Sequence, residues 1–297
     1  LFDKPAFENI WIDGLGMDPW GRKMSKSLGN GIDADSVLEC GAGGRTGSWK
    51  IKGPGGKQVA LKANKIGSEC FRLWKACDAQ VGDDFHINPE EIESKYYGVL
   101  TKMFNIARFA SQFEVPRHLE NAPEDLSFED IWILSEFDEM MDSVRSSWER
   151  MDIYNASQSI KGFGTGIFPG HWLEMSKSRL YNDDTPAIWT LHRIVRDLLT
   201  AFSPICPFFT DYLSTTLYGK SAVDERSFPP LTVKNDYDVT TYLSITNDLI
   251  NFNSEIWKMK KDQGLSLKSD ISNIDIPQSL TQLKSSLILM HSISIDD

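Results

Sequence analysis

Long apolar runs are missing from this chain of 297 residues, although 41% of them are hydrophobic. The longest candidate, Leu198 to Phe209, is interrupted by Ser203, Pro204 and Pro207, well short of the ~18–20 apolar residues a membrane span needs. That excludes a membrane-spanning helix and leaves ample material for a core. Cysteine is scarce. Cys40, Cys70, Cys77 and Cys206 form no CxxC pair and no ligand spacing with the five histidines. Neither a structural zinc, nor another metal site, nor a disulfide framework is expected, and the thiols read as reduced and cytoplasmic. Signal peptides, low-complexity tracts and repeats of solenoid length are absent as well. Positive charge is in deficit, with 31 Lys/Arg against 42 Asp/Glu and a net charge of −11. Such an average predicts no nucleic-acid partner, but it does not exclude one, because affinity follows the lysines and arginines that face phosphates. The distribution is uneven: residues 1–65 hold ten basic and seven acidic side chains, residues 66–150 eight and eighteen.

What is present divides along the chain. Phe7 to Ile12 reads as a short strand, followed by turn signals at Gly14, Gly16, Asp18-Pro19 and Gly21. A loop runs to Gly29-Asn30-Gly31, and Asp33 to Glu39 reads as a short helix. Trp49 to Lys52 and Gln58 to Leu61 flank Gly53-Pro54-Gly55-Gly56, a β-hairpin with an irregular turn. Beyond Ile66 the pattern is helical. Asn88-Pro89-Glu90-Glu91 supplies a cap, a first-turn proline and an acidic first turn. Ile92, Tyr96, Val99, Leu100, Met103, Ile106, Ala107 and Ala110 then keep a helical period. Further helices are expected over 128–151 with Ser127 as cap, over 154–181 with a bend near Gly162 to Pro169, from Pro186 to a break at Ser203–Pro207, and over 239–262. The final stretch reads as strand 271–276, helix 278–291 and strand 293–295. The fold class is therefore mainly α, a helical bundle with α/β material at both ends.

Lys23-Met24-Ser25-Lys26-Ser27 is the most informative pentapeptide. Two ammonium groups three residues apart, with serine hydroxyls and flanking Gly21 and Gly29, suit a mobile loop that meets a polyanion whose charge rises during reaction, as leaving pyrophosphate does. Taken with Asp18-Pro19-Trp20-Gly21-Arg22 before it and Leu28-Gly29-Asn30 after it, the stretch closely resembles the KMSKS signature of class I aminoacyl-tRNA synthetases. The resemblance implies that Lys26 touches the ATP phosphates with Lys23 assisting, that Met24, Ser25 and Ser27 complete the ATP-binding loop, and that the loop sits at the end of a Rossmann-type α/β domain. Met175-Ser176-Lys177-Ser178 repeats four letters of the motif in mid-helix without glycine hinges, and reads as a solvated helix face. The partner motif of the class, His-x-Gly-His, does not occur. The amino-acid pocket is therefore expected upstream of Leu1, and the chain alone is expected to be inactive.

Other segments resemble the valyl, isoleucyl and leucyl branch, and most nearly valyl enzymes of archaeal type. Ser68 to Trp74 is similar to the D-A-L-R helix start, Lys102 to Phe109 to K-x-W-N-A-x-R-F, Trp172 to Tyr181 to Y-x-E-x-x-K-x-R-L-Y, and Ser203 to Thr210 to the P-x-x-P helix pair. The resemblance implies a ligase that joins valine to tRNA(Val), with ATP and Mg2+ as the nucleotide substrate and valine held by an upstream half. It implies a cytoplasmic monomer without membrane contact. Residues 1–65 would be the KMSKS end of the catalytic domain, 66–90 a stem-contact connector, 91–262 the anticodon-binding bundle, and 263–297 a small appendage. Lys102, Asn105, Arg108, Lys177 and Arg179 are the expected RNA contacts. Asn105 and Arg108 read equally as polar groups satisfied at a helix junction, and Glu174, Lys177 and Arg179 as intrahelical pairs. Residues 41–65 depart from the family pattern. The hairpin there is either a solvated elaboration or a contact to the inner side of the tRNA L. Isoleucyl or leucyl specificity and a free-standing tRNA-binding module are the other readings.

Overall fold

A computed structural model describes residues 7–32, 34–39, 48–63, 65–224, 228–233 and 236–294. Its framework follows from where the chain can satisfy backbone hydrogen bonds locally. Strand β1 (Gly16–Met17) pairs in parallel with β4 (Phe85–His86), and β2 (Ser48–Lys52) pairs antiparallel with β3 (Gln58–Lys62). Between them lie the short helix α1 (Ala34–Glu39) and α2 (Gly67–Asp78). Gly14 permits the first of these junctions: a Cβ there would lie 1.9 Å from the Asp83 carbonyl oxygen.

The remainder is helical. Asn88 caps α3 (Pro89–Ile92), which continues through a π-turn at Glu93–Tyr97 into α4 (Gly98–Ala110). Helix α5 (Phe128–Glu149) starts in a capping box. The Ser127 hydroxyl accepts from the Asp130 N–H, and the Asp130 carboxylate accepts from the Ser127 N–H. Such a cap contributes about 1 kcal/mol. Helix α6 (Ile153–Gly162), a π-helical stretch over Phe163–Trp172 and α7 (Leu173–Tyr181) form one rod. Pro169, which has no N–H to donate, lies inside the π-helical stretch. Asp184 caps α8 (Thr185–Phe202), and α9 (Pro207–Tyr218) follows the Ser203–Cys206 break. Helices α10 (Val239–Leu243), α11 (Thr246–Asp262) and α12 (Lys284–His291) complete the chain, the last preceded by a 3-10 turn over Gln278–Leu283.

One apolar core runs from Ile51 and Leu61 on the hairpin, through Leu73 and Trp74 on α2 and the whole inner face of α5, to Leu280, Leu283 and Leu287. No helix among the described residues is long and apolar enough to cross a membrane. Of the tryptophans, Trp74, Trp132, Trp172 and Trp189 are buried in this core.

Two expected strands come out differently. Phe7 to Ile12 is irregular, with Phe7, Ile10, Trp11 and Ile12 exposed. No described segment pairs with it, and an apolar strand without a neighbour has nothing to fix its backbone. At the other end, strands 271–276 and 293–295 reduce to a single parallel bridge between Ile271 and Ile293. Asn273, at φ 57°, turns the chain away two residues after the bridge. Residue 295 onward lies outside the described residues.

Candidate functional site

The Lys23–Ser27 loop is shaped by two polar side chains that are fully buried, Asp18 and Asn30. Asp18 Oδ1 accepts from the N–H groups of Trp20 (3.0 Å) and Arg22 (2.9 Å). Its Oδ2 accepts from Arg22 Nε (2.8 Å) and Asn30 Nδ2 (2.9 Å). Asn30 also donates to the Lys23 carbonyl (3.2 Å), and its Oδ1 accepts from the Ser25 N–H (2.9 Å). The Met24 N–H donates to the Gly16 carbonyl (2.9 Å), which ties the loop to β1. Ser25 Oγ accepts from the Leu28 N–H at 3.2 Å and lies 3.1 Å from Ser27 Oγ. Gly21 and Gly29 bracket the loop at φ 77° and 65°, values that favour glycine.

Burial pushes the Asp18 carboxyl up, but the hydrogen bonds from Asn30, Arg22 and Trp20 outweigh it and hold the group below the ordinary aspartate value. The clamp is therefore ionised and neutralises Arg22, not the signature lysines. Lys23 and Lys26 are both exposed. A loop pinned by its backbone and by Ser25, with two outward ammonium groups, can receive a phosphate chain without first breaking internal contacts.

The hairpin clasps this loop. Arg22 Nη1 and Nη2 donate to the carbonyls of Gly53 (3.1 Å) and Lys52 (2.5 Å), and the Lys52 N–H donates to the Gly29 carbonyl (3.0 Å). The Lys52 methylenes lie against Gly29, where an added Cβ would meet them at 3.2 Å. Helix α2 is anchored through its first two turns. Arg72 Nε donates to the Ile205 carbonyl (2.8 Å), and the Glu69 carboxylate accepts from the Phe209 N–H (3.0 Å) at the start of α9. The residues that resemble the D-A-L-R helix start thus join α2 to the bundle. Burial pushes the thiols of Cys70 and Cys77 on this helix up to about 12 and about 11, so both stay protonated. Cys40 lies outside the described residues. Among the described residues, no group of three His, Cys, Asp or Glu side chains could hold a metal ion.

The expected RNA contacts separate into two kinds. Lys102, Asn105 and Arg108 lie on the exposed side of α4, with Lys102 Nζ donating to the Thr165 carbonyl (2.7 Å). Lys177 pairs with Glu174 at 2.6 Å, its side chain 42% exposed. Met175 and Ser176 beside it are buried, so the second M-S-K-S string is part of a packed helix. Arg179 is engaged within the protein. It donates through Nη1 and Nη2 to the two Asp130 carboxylate oxygens (3.0 and 2.6 Å), through Nε to Asp184 (3.0 Å) and through Nη1 to Ser127 (2.7 Å). Its donors face the protein interior and lock α7 to the capping residues of α5 and α8. Burial works against this charge, but the bonds to Asp130 and Asp184 push the guanidinium above its ordinary value.

Sequence reasoning missed Asn30, read only as a turn residue, and the role of Arg22. The signal was available in the buried amide that directly follows the Gly29 hinge. It also missed two aromatic rings one turn apart on α9, Phe208 and Tyr212, which are 72% and 64% exposed.

Comparison with known proteins links the chain to tRNA synthetases. The model for tRNA synthetases class I (I, L, M and V) matches residues 1–88, and that for the anticodon-binding domain of tRNA ligase matches residues 130–275. The valine–tRNA ligase of Aeropyrum pernix is 29% identical over 99% of this chain, and that of Nanoarchaeum equitans 30% identical over 99%. The chain spans about a third of those relatives, 33% and 34% of their lengths. A LeuRS from Agrobacterium radiobacter K84, solved in a ternary complex with tRNA and LeuAMS, superposes with a TM-score of 0.51 over 74% of this chain and 23% of that one, at 17% identity. That likeness concerns the fold alone. With the signature loop inside one matched segment and α5 to α11 inside the other, this chain belongs to the class I tRNA synthetase family.

Proposed function

We propose that this chain is the part of a valine–tRNA ligase that handles the ATP phosphates and docks the anticodon arm of tRNA(Val). The observation that carries the reading is the signature loop, in which a buried Asp18–Asn30 clamp leaves Lys23 and Lys26 exposed. Lys26, assisted by Lys23, stabilises the negative charge that develops as pyrophosphate leaves Mg·ATP and valyl-adenylate forms. Met24, Ser25 and Ser27 fix the loop around them. Valine and the rest of the nucleotide pocket belong to residues outside this chain, so the chain by itself is inert in activation. The branch follows the names of the relatives, which are valine–tRNA ligases.

In this reading residues 1–65 end the catalytic domain, 66–90 connect it to the tRNA stem, 91–262 form the anticodon bundle and 263–297 buttress it. Lys102, Asn105 and Arg108 on α4, with Lys177 on α7, supply backbone and base-edge contacts. Phe208 and Tyr212 offer faces on which unpaired bases stack. Arg179 contributes only by holding α7 in place. The assembled enzyme is a cytoplasmic monomer.

A titration of this chain with labelled tRNA(Val), competed by the same tRNA carrying a swapped anticodon, tests the docking role. The swapped tRNA should compete at least tenfold more weakly. Equal competition removes anticodon reading from residues 91–262. Pyrophosphate exchange by the chain alone would show that activation needs nothing beyond it.

A further inference from the structure

We propose that the outer face of the β2–β3 hairpin is a docking surface for the phosphate backbone of the RNA, carried by Lys50, Lys52 and Lys62. The inference rests on the functional reading above, and extends it to a surface outside the helical bundle. It begins with register. Lys52 stands opposite Gln58, Lys50 opposite Ala60 and Ser48 opposite Lys62, whereas Ile51 stands opposite Val59 on the other face. Directly opposed residues share a face of the pair. Ile51 and Leu61 are buried in the core and Val59 packs against it, so the alternation turns Lys50, Lys52, Gln58, Ala60 and Lys62 outward, and all five are exposed.

That face carries three lysines and no acid, in a chain whose net charge is −11. Lys50 and Lys62 are diagonal neighbours across the strands, about 7–8 Å apart, where like charges repel. An ordinary solvated surface intersperses the two signs. Glu90 accepts from the backbone N–H of Lys62 at 2.7 Å, not from its ammonium group. A two-stranded hairpin alone is marginally stable, yet this one is fixed by Ile51 and Leu61 beneath it and by Arg22 and Gly29 at its end. The lysine face is thus held rigidly. Lys52, packed along Gly29, makes it continuous with the signature loop. A polyanion lying on it would run between the signature loop, at Gly29, and the start of α3, at Glu90. A nucleic-acid backbone is the ligand whose binding is governed by such unpaired, aligned ammonium groups.

The test compares the complete enzyme containing this chain with its K50A/K52A/K62A and K50R/K52R/K62R variants. Binding of tRNA(Val) is titrated between 50 and 200 mM salt. These side chains lie outside the core, and near-ultraviolet circular dichroism checks that the fold is kept. Loss of three phosphate contacts should reduce the slope of log affinity against log salt by about 2–3 units, at roughly 0.7–0.9 per contact, and weaken binding at least tenfold at 50 mM. The arginine variant should keep the wild-type slope. If wild-type and alanine variant share one slope, the hairpin face does not meet the backbone, and the functional reading stands without it. A wild-type enzyme that does not bind tRNA(Val) overturns both.

Discussion

Two buried aspartates, each bound to an arginine, do opposite work in this molecule. Asp18 and Arg22 are four residues apart, and their pair shapes one loop whose lysines stay outside. Asp130 and Arg179 are separated by 49 residues and join three helices. The first pair sits beside a partly exposed guanidinium and is completed by backbone N–H groups and Asn30. The second is somewhat less exposed, with the Arg179 side chain at 20% against 32% for Arg22, and its aspartate also receives the Trp172 indole N–H at 3.2 Å. The same chemistry therefore presets a loop in one place and holds a bundle together in the other. Removing one partner should disturb a single loop in the first case and the whole bundle in the second.

The largest effect should follow Arg179→Ala. It leaves the fully buried Asp130 carboxylate without its main partner, which costs about 3–5 kcal/mol. Urea unfolding of the chain reads this directly. Arg179→Lys should recover little, because one ammonium cannot reproduce the planar fork. A midpoint within experimental error of wild type would mean that the pair does not hold α7.

The appendage gives a pH-dependent comparison. Asn253 Nδ2 donates to His171 Nδ1 (2.8 Å), His291 Nε2 donates to Asn253 Oδ1 (2.7 Å), and Lys260 Nζ donates to the His291 carbonyl (2.7 Å). Burial, then Lys260 and His171, push the His291 imidazole down to about 4. Because the unfolded chain takes up this proton first, stability is constant above about pH 6.5 and falls as the pH drops from there toward 4. The loss reaches about 3 kcal/mol at the lower end. The Trp257 ring lies 6.0 Å from His291, so its near-ultraviolet signal should report the loosening. His291→Gln should make the profile shallower, leaving the share of His171 and His192, whose imidazoles burial also pushes down. A wild-type profile already flat from pH 7 to 4.5 would contradict the assignment.

Asn30→Ala should have a smaller and local effect, about 1–3 kcal/mol for the buried partners it leaves unsatisfied. Amide exchange at Ser25 should accelerate some 5- to 150-fold while α5 is unaffected. An unchanged Ser25 amide would remove Asn30 from the clamp. With its carboxyl held below the ordinary value near 3.9, Asp18 stabilises the loop fully above that pH. The clamp is lost only as the pH falls through the lower folded value. Smallest of all, Lys177→Ala removes an exposed i,i+3 pair and should shift stability by less than about 0.5 kcal/mol.

Legibility in the sequence divided along the same line. The clasping hairpin, the caps at Asn88, Ser127 and the Pro186 start, and the break at Ser203–Pro207 are set by residues a few positions apart, and all were readable. Asp130–Arg179 was not, because a 49-residue separation leaves no local trace. A weaker signal existed: Trp172, Ser176 and Arg179 fall at i, i+4 and i+7, the spacing of one helix stripe, and the first two are buried. A charged residue on that stripe called for an internal partner before an external one. The strand over 7–12 is overread for a related reason, since a short apolar run forms a strand only where something lies beside it.

The central claim is that Lys26 acts on the leaving phosphates, whereas its mid-helix counterpart Lys177 does not. Pre-steady-state pyrophosphate exchange in the complete enzyme measures this most directly. Lys26→Ala should slow adenylate formation by about 10²–10³-fold, the scale of one preorganised donor, with valine affinity within twofold of wild type, while Lys177→Ala leaves the rate constant unchanged. A wild-type rate constant for Lys26→Ala would contradict the account.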